Sequence, residues 1–153
     1  MIDLSLVIPV YNEVENLSAL MDEITSALDG QDLAYEAIFI DDGSSDGSYE
    51  LLESLREQND HIALIRFRRN YGQTAAFAAG FDYAHGKYVV TMDADRQNDP
   101  ADVPKLIARI ELGDCDVVNG WRENRQDPYL MRKVPSKIAN GLIATTTGVH
   151  LHD

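Results

Sequence analysis

The chain has 153 residues, enough for one domain with a sizeable core, and it carries 26 acidic against 13 basic residues, a net charge of −13. That balance argues against general nucleic-acid binding. It leaves room for an anionic ligand, because eight of the thirteen cations fall in two groups: Arg66, Arg68 and Arg69, then Arg122, Arg125, Arg132, Lys133 and Lys137.

The single cysteine, Cys115, excludes an intramolecular disulfide and reads as a small buried residue. Asp3 follows Met1 and Ile2 with no basic leader, and no apolar run approaches the roughly 18 to 20 residues of a membrane span. The expectation is a soluble, cytoplasmic chain.

"LSLVIPV" (4–10) reads as a buried strand. In residues 12–28, Leu17, Leu20, Met21, Ile24 and Leu28 recur at helical spacing, with Asn12 as N-cap and Glu15 three residues on. "YEAIFID" (35–41) is a second strand, and "SYELLESLRE" a helix led by Asp46 and Gly47. "IALIRF" (62–67) is a third strand, and "GQTAAFAAGFDYA", rich in small residues, a buried helix. "KYVVTMD" is a fourth strand. Asp99 caps a helix entered at Pro100 and continued by "DVPKLIARIEL", and "CDVVNG" (115–120) is a fifth strand. Beyond it come a charged loop, 122–131, and a weak amphipathic helix, 132–144, with Val134, Ile138 and Leu142 on one side. Such alternation predicts an α/β fold, a mainly parallel sheet with helices on both faces.

In an open parallel sheet, ligands bind outside the carboxyl ends of the strands. The expected strands end in "PVYNE", "DDGSSDG", "DADRQ" and "NGWR", so four distant segments converge on one rim. Asp93 and Asp95, one residue apart, can point to the same side. Paired carboxylates suit a hard divalent cation, Mg²⁺ or Mn²⁺, and Gln97 can add an amide oxygen. The ion would hold a diphosphate and neutralise a leaving phosphate; the bland alternative is a solvated acidic loop. Asp41 and Asp42 end an apolar strand where they need partners, and a carboxylate there can accept from a nucleobase or ribose. Asp46 reads as a helix cap. Tyr11 offers a stacking ring, and Glu13 an acceptor for a ribose hydroxyl or an amine. No GxGxxG follows the first strand and no P-loop is present, which argues against a dinucleotide cofactor. His61, His85, His150 and His152 lack a metal-ligand spacing.

The segments "VIPVYNEVENL", "DDGSSDGS", "RNYGQTAAFAAGFDYAHG", "DADRQNDP", "RENRQD" and "RK…SKIANGLI…TTG" resemble, in order, the family 2 glycosyltransferases with the Rossmann-like GT-A fold. Within that family the chain is similar to the polyprenyl-phosphate sugar transferases, dolichyl-phosphate mannose synthase and the bacterial undecaprenyl-phosphate enzymes among them. The resemblance covers essentially the whole chain, read as one catalytic domain over 1–153. It implies that Pro9, Tyr11, Glu13, Ile40 and Asp42 line the nucleotide pocket. It implies that Asp93, Ala94, Asp95 and Gln97 form the metal and diphosphate site. Arg122, Arg132 and Ser136 would face the donor phosphate and the lipid-phosphate acceptor. The chain departs from its relatives at Arg96, where they usually carry Leu, which places a cation beside the metal site. The family continues beyond "HLHD", often with membrane helices, so the chain reads as C-terminally truncated.

The function this implies is inverting transfer of a sugar from a UDP- or GDP-sugar to undecaprenyl or dolichyl phosphate, at the inner face of a membrane met peripherally by this chain. A lipid phosphate is already ionised at neutral pH and needs no general base. It needs cations against the donor's diphosphate, and residues 122–137 offer five. Transfer to a carbohydrate hydroxyl, which needs a carboxylate base, is the alternative. A nucleotide-binding fragment without turnover and an Mg²⁺-dependent phosphoacceptor domain are two more, the last fitting poorly with "DAD" at the fourth strand.

Overall fold

The computed structural model describes residues 2–120. The expected loop 122–131, the expected helix 132–144, and Arg122, Arg132 and Ser136 lie outside the described residues. Strands and helices alternate as β1 Leu4–Val10, α1 Val14–Leu28, β2 Tyr35–Asp41, α2 Ser48–Gln58, β3 Ile62–Arg66, α3 Gln73–Tyr83, β4 Tyr88–Thr91 and α4 Val103–Ile110. A 3-10 turn at Pro100–Asp102 leads into α4, and the Asp99 carboxylate accepts the Ala101 N–H at 2.9 Å, the expected cap. The compact unit Met1–Val118 carries the whole described sheet.

That sheet is parallel, in the order β3-β2-β1-β4. β1 and β2 are buried along nearly their whole length, as apolar strands covered on both faces must be. On one face, Leu4, Leu6, Ile8, Ala37 and Phe39 pack with α1, α2 and α4 through residues such as Leu20, Ile24, Leu52 and Val103. On the other, Val7, Ile38 and Ile40 pack with Ala76 of α3. The chain runs from β1 outward to β3 and then crosses back to β4 beside β1. Where the strand order reverses, between β1 and β4, an open α/β sheet has its ligand crevice.

Three expectations change. Cys115–Gly120 forms no strand among the described residues: Val117 is 81% exposed, and an apolar run without a ladder partner does not hold as a strand. Cys115 itself is only partly buried. The small-residue helix α3 is not buried all round, since Phe81 and Tyr83 are half exposed and only Ala76 and Gly80 are buried. Its small residues serve close approach along one stripe. A Cβ at Gly80 would stand 2.3 Å from Val7 Cγ1 and 3.0 Å from Ile40 Cδ1.

Gly80→Val should therefore push α3 off the sheet and cost about 1–3 kcal/mol, the range for overpacking a filled interface. Chemical denaturation reads this as a lowered midpoint; an unchanged midpoint would mean that α3 is not seated as described.

Candidate active site

The register of β4 opens the crevice. β4 pairs with β1 only as far as Val7↔Thr91, three residues before β1 ends at Val10. After the Met92 N–H reaches the Val7 carbonyl, the chain leaves the ladder, and Asp93, Ala94 and Asp95 diverge from the end of β1. The space is an open cleft of about 390 Å³, lined by Pro9, Val10, Tyr11 and Glu13 from β1 and its exit. Asp42 beyond β2, then Asn70, Gly72 and Gln73 at the start of α3, and Asp93 to Asp95 complete it. Three strand ends and one helix start thus meet at the switch point.

The β1 and β2 exits are fastened to each other. Asn12 takes a left-handed φ of 56°, its N–H donates to Ser44 Oγ at 3.0 Å, and its own Oδ1 accepts the Ser45 N–H at 2.9 Å. The Glu13 N–H donates to Ser48 Oγ and the Val14 N–H to Asp46 Oδ2, both at 3.0 Å. Asp46 Oδ1 also accepts the Ser48 N–H at 3.0 Å, so one carboxylate serves the starts of both α1 and α2. Asn12 is therefore not the cap of α1: its left-handed backbone turns its side chain to the neighbouring loop, and the cap comes from Asp46, thirty-two residues away. This leaves Tyr11 49% exposed at the cleft, a free stacking face, while Glu13 Oε2 accepts from Asn16 Nδ2.

The two acids after β2 are buried and differently employed. Asp41 is fully buried and Oδ1 accepts the Ser44 N–H at 3.3 Å. Asp42 reaches the opposite way: Oδ1 accepts the Tyr71 N–H at 2.7 Å and Oδ2 the Gly72 N–H at 2.8 Å. Ile40, expected in the pocket, is fully buried against α3 and is not among the residues lining the cleft.

On the far wall, Asp93 Oδ1 accepts from Gln73 Nε2 at 2.8 Å, and Asp95 Oδ1 accepts the Gln97 N–H at 3.0 Å. Gln97 itself does not line the cleft. No cluster of three or more His, Cys, Asp or Glu able to hold a metal occurs among the described residues. A two-carboxylate site suits Mg²⁺ or Mn²⁺ when substrate oxygens and water complete the shell. The Asp93–Asp95 pair at the cleft wall fits that case and does not form a protein-only cage. Arg96 does not add a cation to this pair. With a left-handed φ of 60°, it sends its guanidinium to Glu23 of α1, Nε to Oε1 at 3.1 Å, and so ties the acidic turn to that helix. Val10, Asn70 and Gln73 were not anticipated from the sequence; the signal for the last two was the helix opening at "RNYGQ", just after a strand.

Comparisons with known proteins identify the family and the fold. The model of the glycosyl transferase family 2 matches residues 5–149, and the chain belongs to that family. A dodecaprenyl-phosphate galacturonate synthase of Rhizobium johnstonii is 39% identical over 99% of this chain. An undecaprenyl-phosphate 4-deoxy-4-formamido-L-arabinose transferase of Salmonella choleraesuis is 48% identical over 97% of it. The chain spans 45% of the length of each of these relatives. Among solved structures, the S. aureus protein TarS (1-349) with UDP-GlcNAc superposes with a TM-score of 0.64 at 18% identity, covering 86% of this chain and 38% of that one. A Pyrobaculum calidifontis mannosyltransferase with GDP-Man and Mn²⁺ gives a TM-score of 0.54 at 25% identity, covering 60% of this chain and 27% of that one. The sheet and helices are those of the GT-A fold. No helix of the described residues is long and apolar enough to cross a membrane.

The double cap makes a prediction. Desolvation pushes the Asp46 carboxyl up, but the hydrogen bonds from Ser48 and Val14 outweigh it and hold it below its ordinary value of 3.8. A carboxyl depressed in the folded state contributes stability above about pH 4 and loses it as pH falls through the folded-state value. Asp46→Ala should cost about 1–2 kcal/mol at neutral pH, the range for a lost cap. The gap from the parent chain should narrow below pH 4 in denaturation curves. A gap constant with pH would show that the charge on Asp46 contributes nothing.

Proposed function

We propose that the cleft binds a nucleotide-sugar and that the 153 residues are the donor-binding part of a catalytic domain that transfers the sugar, with inversion, to a polyprenyl phosphate. The observation that carries this reading is that Asp93 and Asp95 line the same switch-point cleft as Tyr11. It puts a site for a diphosphate-bound ion and a stacking face in one cleft. The relatives' names differ in the sugar and share a polyprenyl phosphate, so the acceptor is the part of the reaction to which similarity speaks. Nucleotide diphosphate-sugars in the solved relatives, with UDP in one and GDP in the other, support a UDP- or GDP-linked donor.

In this reading Tyr11 stacks on the base and Pro9 and Glu13 border the nucleoside. Asp93 and Asp95 hold Mg²⁺ or Mn²⁺, which supplies neutralising charge to the leaving diphosphate. An oxygen of the polyprenyl phosphate forms the new bond to the anomeric carbon from the side opposite the leaving group. The bond from that carbon to the nucleoside diphosphate breaks, and its electron pair leaves with the diphosphate. Arg122, Arg132 and Ser136 would face the donor and acceptor phosphates, where arginine's planar fork suits two phosphate oxygens at once. Working on a lipid-linked acceptor places this chemistry at a membrane surface.

Calorimetry on the 153-residue chain tests the donor site. UDP or GDP should bind more tightly with Mn²⁺ than with EDTA, and Asp95→Asn should erase the difference without lowering the thermal midpoint. Equal affinity in Mn²⁺ and EDTA in the parent chain would remove the metal from the proposal.

A further inference from the structure

We propose that Gln73 is a positioning residue for Asp93, and that Asp42 sets Gln73 by holding the turn at the start of α3. The inference rests on reading Asp93 and Asp95 as the ion-holding pair.

The relay is continuous in hydrogen bonds. Asp42, 3% exposed at the end of β2, accepts the Tyr71 and Gly72 N–H groups, one on each oxygen. Charge-assisted bonds of this kind are the strong ones, and both come from consecutive backbone units, so the carboxylate fixes the path of the chain. Gly72 then turns with φ 92° and ψ 158°, a conformation essentially reserved for glycine, and Gln73 begins α3. The Gln73 amide crosses to Asp93 Oδ1 at 2.8 Å. A second contact holds the same segment: a Cβ on Gly43 would lie 2.5 Å from the Arg69 carbonyl carbon, so the 43 turn seats directly against the backbone at 69–70.

The sheet order explains why a relay is needed. β2 and β4 are not neighbours, because β1 lies between them. Asp93 stands beyond the last pairing of β4, where no ladder orients it. Its carboxylate is oriented from the other side of the crevice, by a helix start whose position β2 dictates. One Asp93 oxygen is thereby committed to an amide donor. Partners that orient a metal-binding side chain in this way commonly govern affinity by about 10- to 100-fold. Asp42, which also lines the cleft, is on this account a support for its metal side through the turn at the start of α3.

The experiment is an electron paramagnetic resonance titration of Mn²⁺ into the full 153-residue chain with saturating UDP or GDP, beside calorimetry of the same nucleotide in EDTA. Gln73→Met keeps the length and removes the donor. It should weaken nucleotide-dependent Mn²⁺ binding at least about 10-fold, with EDTA-resistant nucleotide affinity and thermal midpoint unchanged. Asp42→Asn, which keeps the shape and loses the charge, should reproduce the loss, and the double variant should be no worse than the more affected single one. Unchanged Mn²⁺ affinity in Gln73→Met, with Asp95→Asn abolishing it, overturns the relay and leaves the ion pair standing. Losses of Mn²⁺ affinity that add in the double variant show that Asp42 does not act through Gln73 and overturn its role here. No nucleotide-dependent Mn²⁺ binding in the parent chain removes the underlying reading and the relay with it.

Discussion

The backbone N–H groups of Asn12, Glu13 and Val14, at the start of α1, have no partners within that helix, and their acceptors come from the next loop along the sheet: Ser44, Ser48 and Asp46. Everything at the carboxyl edge depends on that exchange. It draws the exit of β1 against the exit of β2 without using Tyr11, which stays exposed at the cleft. One residue past β2, Asp42 binds the start of α3, on the opposite face of the sheet from α1 and α2. The two loops after β1 and β2 thus fix both helical layers against one edge, and the crevice beside β1 is what remains between them.

A chain with 26 acidic residues must place its carboxylates where something answers their charge. At this edge the answer is mostly backbone. Asp41, Asp42, Asp46, Asp95 and Asp99 all accept main-chain N–H groups. A bond of this kind to a charged acceptor is worth about 1.5–3 kcal/mol when sheltered from water, enough to hold a loop. Asp93 differs: its described partner is a side chain, Gln73, reaching across the crevice. Asp93 and Asp95 line the cleft that Tyr11 also lines, which is why the proposal puts the ion there.

The elements of the fold were legible where periodicity was strong. β1 and β2 fall on the residues that their unbroken apolar runs predict, because strands covered on both faces have no polar side to blur the signal. α1 follows its Leu17–Leu20–Ile24–Leu28 spacing. "CDVVNG" misled because a run of apolar residues carries no information about whether a neighbour exists to pair with. Asn12 misled for a related reason. A cap is a local pattern in sequence, but here the acceptor was supplied from thirty-two residues away. Convergence of the β1, β2 and β4 exits on one rim followed from topology alone. What sequence could not convey was direction: Arg96 lies beside Asp95 in the chain and points its charge at Glu23, and Gln73 lies twenty residues from Asp93 and touches it.

The central claim is that a divalent ion and a nucleoside diphosphate meet at one place, on the wall made by Asp93 and Asp95. Paramagnetic broadening of backbone amide signals by Mn²⁺ in the presence of UDP or GDP reads that location directly. The account predicts that the amides of Gly72, Gln73, Asp93 and Asp95 disappear first, at substoichiometric Mn²⁺, while those of Ala34 and His85, which sit by the opposite ends of the strands, persist. Broadening centred elsewhere, or broadening that does not require the nucleotide, would contradict it.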